Sequence, residues 1–123
     1  MTWNILLLIF LSVTISAVAQ IALKHGMSST PVQQALVQGG AEALHGVAKS
    51  LFVWLGLALY GVGALLWLGV LARVDVSQAY PFVGLGFLLT MIFGVFLLGE
   101  AFSMMRAIGT LLVLAGVILV AKT

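Results

Sequence analysis

The sequence contains no cysteine, and only 7% of its 123 residues are charged. Without cysteine, disulfide bonds, thiol catalysis and thiolate metal ligation are excluded. The formal net charge of +2 is too small and too dispersed along the chain to predict nucleic-acid binding. The sequence also has no P-loop, no glycine-rich nucleotide fingerprint and no cluster of metal-ligand residues. We therefore expect no catalytic residue, no cofactor, no metal and no ATP-driven step in this chain.

Apolar residues dominate instead: they make up 63% of the sequence and give a mean hydropathy of +1.30. A soluble domain typically carries about 25% charged residues, so this composition indicates an integral membrane protein. An apolar run of roughly 20 residues crosses a bilayer as one helix. We predict an all-α integral membrane protein with four transmembrane helices in a single domain, residues 1–123. The predicted spans are residues 3–23, 51–71, 79–99 and 103–121.

The N-terminal segment also has features of a signal peptide. The apolar stretch Ile5 to Leu11 is followed by Ala17-Val18-Ala19, which is similar to a cleavage site. However, no Lys or Arg precedes Lys24, so the basic region that a signal peptide needs is limited to the terminal amine. We therefore expect this segment to be retained as the first span.

The connection between the first two spans, residues 24–50, has the pattern of a short amphipathic helix. Thr30 is the predicted N-cap and Pro31 occupies the first helical position. Gly39-Gly40 interrupts the pattern further along. We interpret this segment as a solvated or interfacial linker helix, and the alternative is a gate or a headgroup contact.

Two pairs of glycines, each spaced seven residues apart, predict close helix packing. Gly56 and Gly63 fall on one face of the second span, and Gly109 and Gly116 fall on one face of the fourth. Small residues allow two transmembrane helices to approach closely. The face in the fourth span is a candidate oligomer contact.

Polar side chains form a stripe along the first span. The stripe consists of Ser12, Ser16, Gln20 and Lys24, which follow one another at intervals of four in an otherwise apolar stretch. Residues i and i+4 share a helix face and drift around it by roughly 40° per step. Because polar groups are costly in hydrocarbon, these side chains should face the protein interior or a wet cavity. The stripe predicts a helix that lines a path for something polar.

Two later stretches carry a resemblance to known transporters. They are Val76-Ser-Gln-Ala-Tyr-Pro81 and Leu98-Gly-Glu-Ala-Phe-Ser103, the second followed by Ile108-Gly-Thr-Leu-Leu-Val-Leu-Ala-Gly-Val117. With them the region from Leu55 to Lys122 resembles the EamA-like, four-helix proteins of the drug/metabolite transporter superfamily. The resemblance implies a small four-helix transporter.

One group in that superfamily, the small multidrug resistance family, exports cations in exchange for protons. Its members carry a glutamate in the first span, eight residues before a lysine. Counted back from Lys24, that position is Ser16 here. The family also places a tryptophan three residues after the tyrosine of the third span, where this chain has Val83 after Tyr80. Exchange of this kind needs a carboxylate in the membrane, which no predicted span interior supplies.

A second group is more similar: the small flippase subunits for 4-amino-4-deoxy-arabinose-phosphoundecaprenol. Their first span resembles Ser16-Ala17-Val18-Ala19-Gln20, and Gln20 is followed four residues later by Lys24, as in one of the two subunits. The tract Val53-Trp-Leu-Gly-Leu-Ala-Leu59 and the step Ala79-Tyr80-Pro81 are similar as well. The connection over residues 27–50 is longer here.

This resemblance implies a flippase that moves a glycosylated polyprenyl phosphate across the bacterial inner membrane without making or breaking a bond. Its partners would be the lipid-linked sugar phosphate, membrane lipids, and a second four-helix chain in a homodimer or a heterodimer. Two alternatives stay open at this point. One is an exporter of cationic compounds, and the other is an accessory membrane subunit that does not transport.

Six side chains match the demands of such a lipid headgroup. A phosphate needs cationic donors, and a sugar needs hydroxyl and amide partners. Lysine and arginine would hold the phosphate, the stripe would bond the sugar, and a tyrosine from the third span would close the site. The predicted substrate-binding residues are Lys24, Gln20, Ser16, Ser12, Tyr80 and Arg106.

Each of these residues except the glutamine also has a simpler interpretation. Lys24 can extend to the lipid headgroups, and Arg106 can pair with Glu100 across the turn. The serines of the stripe can bond carbonyls of their own helix. Tyr80 can serve as an interfacial anchor.

Overall fold

The computed structural model describes residues 2–123, which are helical throughout apart from short connections and contain no β-strand. A 3-10 turn, Tyr80–Phe82, lies between the fifth and sixth α-helices. The helices are α1 Trp3–Met27, α2 Thr30–Gln38, α3 Gly40–Ala48, α4 Leu51–Leu71, α5 Val76–Ala79, α6 Val83–Leu97 and α7 Met104–Ala121.

Four helical segments of the described chain are long and apolar enough to cross a membrane, which confirms the predicted fold class. They are Trp3–Met27, Leu51–Leu71, Val76–Leu97 and Met104–Ala121. The second coincides with its predicted range, and the fourth differs by one residue at its start. The chain is therefore a multi-pass membrane protein.

The first span is longer than predicted because Gly26 does not end it. Helix α1 continues to Met27 and is capped by Ser28. Gly26 is buried in the last turn, where an added Cβ would lie 2.9 Å from Ser50 Oγ and from Val53. This glycine allows close approach of the next span rather than a left-handed helix end. As a result Lys24 belongs to the helix.

The third span begins earlier than predicted and changes character at Pro81. It starts at Val76 and ends at Leu97, instead of covering residues 79–99. Pro81 is consequently too deep to belong to the first turn of the span, and its ring and missing N–H disrupt the α-helical bonding. The local result is the 3-10 turn Tyr80–Phe82, which joins α5 to α6.

The connection between the first two spans forms two helices, α2 and α3, divided at the predicted glycine pair. Gly39 and Gly40 have φ angles of +70° and +57°, a region that L side chains rarely adopt. Ser29, rather than the predicted Thr30, is the N-cap of α2. The two helices pack together where Ala35 occupies the space that a side chain at Gly46 would need.

Helix α1 lies between α4 and α6 and packs against both. Its contact with α4 is close at the two predicted glycines. A Cβ added at Gly56 would lie 2.6 Å from Leu23 Cγ, and a Cβ added at Gly63 would lie 2.7 Å from Ser16 Oγ. The prediction of close packing at this pair is confirmed. Helix α7 packs against α6, where Gly84 leaves room for Val113.

The apolar core is at one end of the four spans. It joins the N-terminal half of α1 to the C-terminal ends of α4 and α7 through Ile9, Val70, Phe82 and Val117, which are all buried. Because side chains fill this end, the polar half of α1 is left facing a space between the other spans.

Candidate functional site

A groove of about 880 Å³ lies between the four spans, within the range usual for small-ligand sites. Helix α1 contributes Ser12, Ser16 and Gln20 to its lining. One wall is α4, and the other is formed by α6 and α7. The wall residues with polar or aromatic side chains are Tyr60, Trp67, Tyr80, Phe87, Thr90, Glu100, Ser103, Arg106 and Thr110.

Three of the four stripe residues line this groove, as the spacing predicts. Ser12 is buried, Ser16 is half-buried, and Gln20 is exposed at the groove surface. Their order along α1 makes a polar track that begins near the core and leads toward the C-terminal end of the helix. This placement agrees with the cost of putting polar groups in hydrocarbon.

Ser12 bonds a neighbouring helix, so the interpretation that it bonds its own helix is wrong. Its hydroxyl donates to the backbone carbonyl of Gly63 in α4 at 2.7 Å. The missing side chain at Gly63 makes the approach possible, and Ser16 uses the same space. Thr14, which is not part of the stripe, does bond its own helix: its hydroxyl donates to the carbonyl of Phe10 at 2.7 Å.

Lys24 lies outside the groove lining. Its side chain is exposed on the last turn of α1, and the residues that line the groove stop at Gln20 on this helix. The angular drift of roughly 40° per four residues accounts for this, because it accumulates along the stripe. The part of the stripe that lines the groove therefore ends at Gln20, one residue of the stripe earlier than the sequence predicts.

Tyr80 and Arg106 both line the groove, from separate elements. Tyr80 comes from the 3-10 turn and is 64% exposed. Arg106 is in the first turn of α7, which begins at its N-cap Ser103. The Ser103 hydroxyl accepts a hydrogen bond from the Arg106 backbone N–H at 3.3 Å, which stabilises the first turn of α7. The Arg106 side chain itself remains exposed. Thr110 donates to the Arg106 carbonyl at 2.8 Å.

Glu100 also lines the groove, which the sequence analysis missed. The turn before it depends on Gly99, whose φ of +69° reverses the chain after α6. The carboxylate then folds back over Gly94, where an added Cβ would lie 2.5 Å from Glu100 Oε1. The signal in the sequence is a glutamate next to a glycine at the end of a span, a pattern that by itself predicts only a turn.

The lining suits a polar organic group with charge. Among the described residues that line the groove, Glu100 and Arg106 are the two that carry a charge. Within residues 2–123, no three His, Asp or Glu side chains gather closely enough to hold a metal ion. Hydroxyl, amide and aromatic side chains complete the surface and provide both donors and acceptors.

Comparisons with known proteins agree with this architecture. The sequence profile of the EamA-like transporter family matches residues 35–122. The chain is 36% identical over 120 residues to a probable 4-amino-4-deoxy-L-arabinose-phosphoundecaprenol flippase subunit ArnE of Pseudomonas savastanoi, covering 95% of this chain and 94% of that one. Proteins of the same name match from Pseudomonas syringae, at 41% identity over 69% of this chain and 80% of the relative, and from Pseudomonas fluorescens Pf-5, at 32% over 95% and 96%. No solved structure matches.

Proposed function

The chain belongs to the EamA-like transporter family, and from this membership we propose that it is a subunit of a lipid flippase. Its substrate is a polyprenyl phosphate that carries a sugar, and it moves this lipid across a bacterial inner membrane. The relatives that match over almost their whole length are named as flippase subunits for such a lipid. The observation that carries the proposal is the polar groove that extends along α1 between apolar spans.

The shape of the groove supports a path for a headgroup. A sugar phosphate is small enough for a space of about 880 Å³, and the isoprenoid tail is apolar enough to remain in the surrounding lipid. The headgroup would otherwise cross hydrocarbon without hydrogen-bond partners, which is costly. A groove lined by hydroxyls, an amide and two charges lowers that cost, because it substitutes for the lost water.

Each of the six predicted site residues has a role that follows from its chemistry and position. Arg106 binds the phosphate, since a guanidinium donates two parallel hydrogen bonds to such an oxyanion. Gln20 and Ser16 exchange hydrogen bonds with the sugar hydroxyls, and Tyr80 closes the groove from the third span. Ser12 keeps α1 against α4 by donating its proton to Gly63, so its hydroxyl can only accept a hydrogen bond from the sugar. Lys24 contacts membrane headgroups beside the groove.

Movement of the lipid needs no covalent step, so the proposal includes no enzyme activity and no cofactor. It does include a second four-helix chain, either a copy of this one or a similar subunit, because the relatives are named as subunits. The fourth span has one exposed position available for this contact: Gly116 has open space beside it and is outside the groove lining, whereas Gly109 lines the groove. The part of the predicted oligomer contact around Gly116 remains available to a second chain.

One observation favours a second function, the export of a cationic compound in exchange for protons. Glu100 places a carboxylate in the groove, although at the end of α6 rather than within a span. An exchanger would need this group to bind protons and substrate in turn. Uptake of a lipophilic cation that is driven by an imposed proton gradient, and abolished by Glu100→Gln, would favour this function over the flippase.

Reconstituted liposomes test the flippase directly. The lipid 4-amino-4-deoxy-arabinose-phosphoundecaprenol is placed in vesicles with the purified chain, with and without the second subunit of a relative. A membrane-impermeant amine reagent then modifies only the outer leaflet. We expect the inner-leaflet half to become reactive with time in protein-containing vesicles and to stay protected in protein-free ones. The proposed function would be ruled out if the inner-leaflet lipid stayed equally protected in protein-containing and protein-free vesicles, with and without the second subunit.

A further inference from the structure

We propose that Glu100 binds the positively charged amine of the sugar and so makes the groove selective for a headgroup whose sugar carries an amine. This inference rests on the proposed function and adds to it a residue that distinguishes between sugars. The lipid in the names of the relatives carries both an amine and a phosphate. The groove has one acidic and one basic side chain, which match these two charges in kind and number among the described lining residues.

The positions of the two charges fit a headgroup with two opposite charges. Glu100 follows the C-terminal end of α6, and Arg106 lies in the first turn of α7, so the short connection between these helices brings both charges to the same end of the groove. The C-terminal end of a helix carries partial negative charge, which adds to the attraction of Glu100 for a cation. The phosphate and the amine can then be bound at once by neighbouring elements.

Gly94 is the residue that positions the Glu100 carboxylate. It is buried in α6, and its missing side chain is the space into which Glu100 Oε1 folds. A backbone hydrogen bond also keeps the two residues together, because the Glu100 N–H donates to the Gly94 carbonyl at 3.1 Å. A methyl group at position 94 would displace the end of a flexible side chain, while the backbone of the helix could remain in place.

These contacts lead to two different ways to disturb the carboxylate. Glu100→Gln removes its charge and keeps its size. Gly94→Ala keeps the charge and moves the carboxylate out of its space, since the added Cβ would lie 2.5 Å from Oε1. Gly61→Ala is the matched control, because the same substitution there meets nothing within 4 Å and Gly61 is outside the groove lining.

The test compares two lipids in reconstituted liposomes: the amino-sugar lipid and its neutral counterpart with arabinose in place of the amino sugar. Impermeant periodate, which oxidises vicinal diols in both sugars, reports how fast each lipid reaches the outer leaflet. In the unmodified protein we expect the amino-sugar lipid to move faster. Glu100→Gln should slow it by roughly tenfold, the effect of losing one charge-assisted hydrogen bond, and leave the neutral lipid within about twofold.

Gly94→Ala should reduce the same preference, and Gly61→Ala should preserve it. If the unmodified protein moves neither lipid, the proposed function fails. A different outcome is that the unmodified protein moves both lipids while Glu100→Gln slows both equally or changes the rate of neither. That result would support the proposed flippase function and reject the role of Glu100. A purely structural role of Glu100 would also slow both lipids equally, so it gives the overturning result.

Discussion

The Ser12 hydroxyl donates a 2.7 Å hydrogen bond to the backbone carbonyl of Gly63, and this bond joins α1 to α4 in the interior of the protein. Ser12 is only 2% exposed, and the absence of a side chain at Gly63 allows the two helices to approach. The inner end of the polar stripe therefore holds two spans together. Its outer part, at Ser16 and Gln20, remains available to a substrate.

Replacing Ser12 should destabilise the protein more than it affects transport. We expect Ser12→Ala to lower the free energy of unfolding by about 1 kcal/mol, as is usual for a polar contact between transmembrane helices. Reversible unfolding in mixed micelles measures this change. Thr14→Val is the control, because it removes a bond within α1 alone. An equal loss of stability in the two variants would show that the bond to Gly63 does not hold the helices.

The same substitution at two glycines of α4 should have different effects on stability. Gly56→Ala places a Cβ 2.6 Å from Leu23 Cγ and 3.0 Å from the Leu23 backbone nitrogen, so we expect a loss of roughly 1–3 kcal/mol from overpacking. Gly61→Ala meets open space and should be neutral or stabilise by up to about 1 kcal/mol through helix propensity. Thermal unfolding in detergent compares them. A stabilising Gly56→Ala would contradict the close contact between α1 and α4.

The two cations of the predicted site should differ in importance. Arg106 lines the groove, whereas Lys24 is exposed beside it. We expect Arg106→Gln to slow lipid movement by roughly tenfold or more, the usual effect of losing a hydrogen bond to a charged group, and Lys24→Gln to change it by about twofold at most. Initial rates in the liposome assay separate them. A larger effect at Lys24 would place the phosphate outside the groove.

The sequence predicts the four spans well because each is an apolar run long enough to cross a bilayer as one helix. The boundaries fail where tertiary contacts decide them. Gly26 is compatible with a helix end, but packing against Ser50 and Val53 keeps it helical. Pro81 is compatible with a first turn, but the span starts at Val76 and the proline forms a 3-10 turn instead.

The groove is partly predictable for a related reason. Helical spacing alone places Ser12, Ser16 and Gln20 on one face, and the structure puts that face on the groove. Spacing does not set where the face leaves the groove, so the sequence also predicts Lys24 as a groove residue, although the lining stops at Gln20 on this helix. Glu100 was missed because its position depends on the left-handed turn at Gly99 and on the space at Gly94, which are features of the folded hairpin between α6 and α7.

In the proposed flippase, the polar face of α1 borders a water-accessible groove, and the lipid headgroup enters this groove. The sequence has no cysteine, so single cysteines can be introduced without a background reaction. Gln20→Cys samples the groove, and Val18→Cys samples an exposed position of the same helix, outside the groove lining and two residues away. A water-soluble thiol reagent is applied to both variants in liposomes, with and without the amino-sugar lipid.

We expect rapid modification of Gln20→Cys, slowed when the lipid is present, and little modification of Val18→Cys under either condition. Equal reactivity at the two positions, or a rate at Gln20→Cys that the lipid does not change, would show that the headgroup does not pass along the polar face of α1.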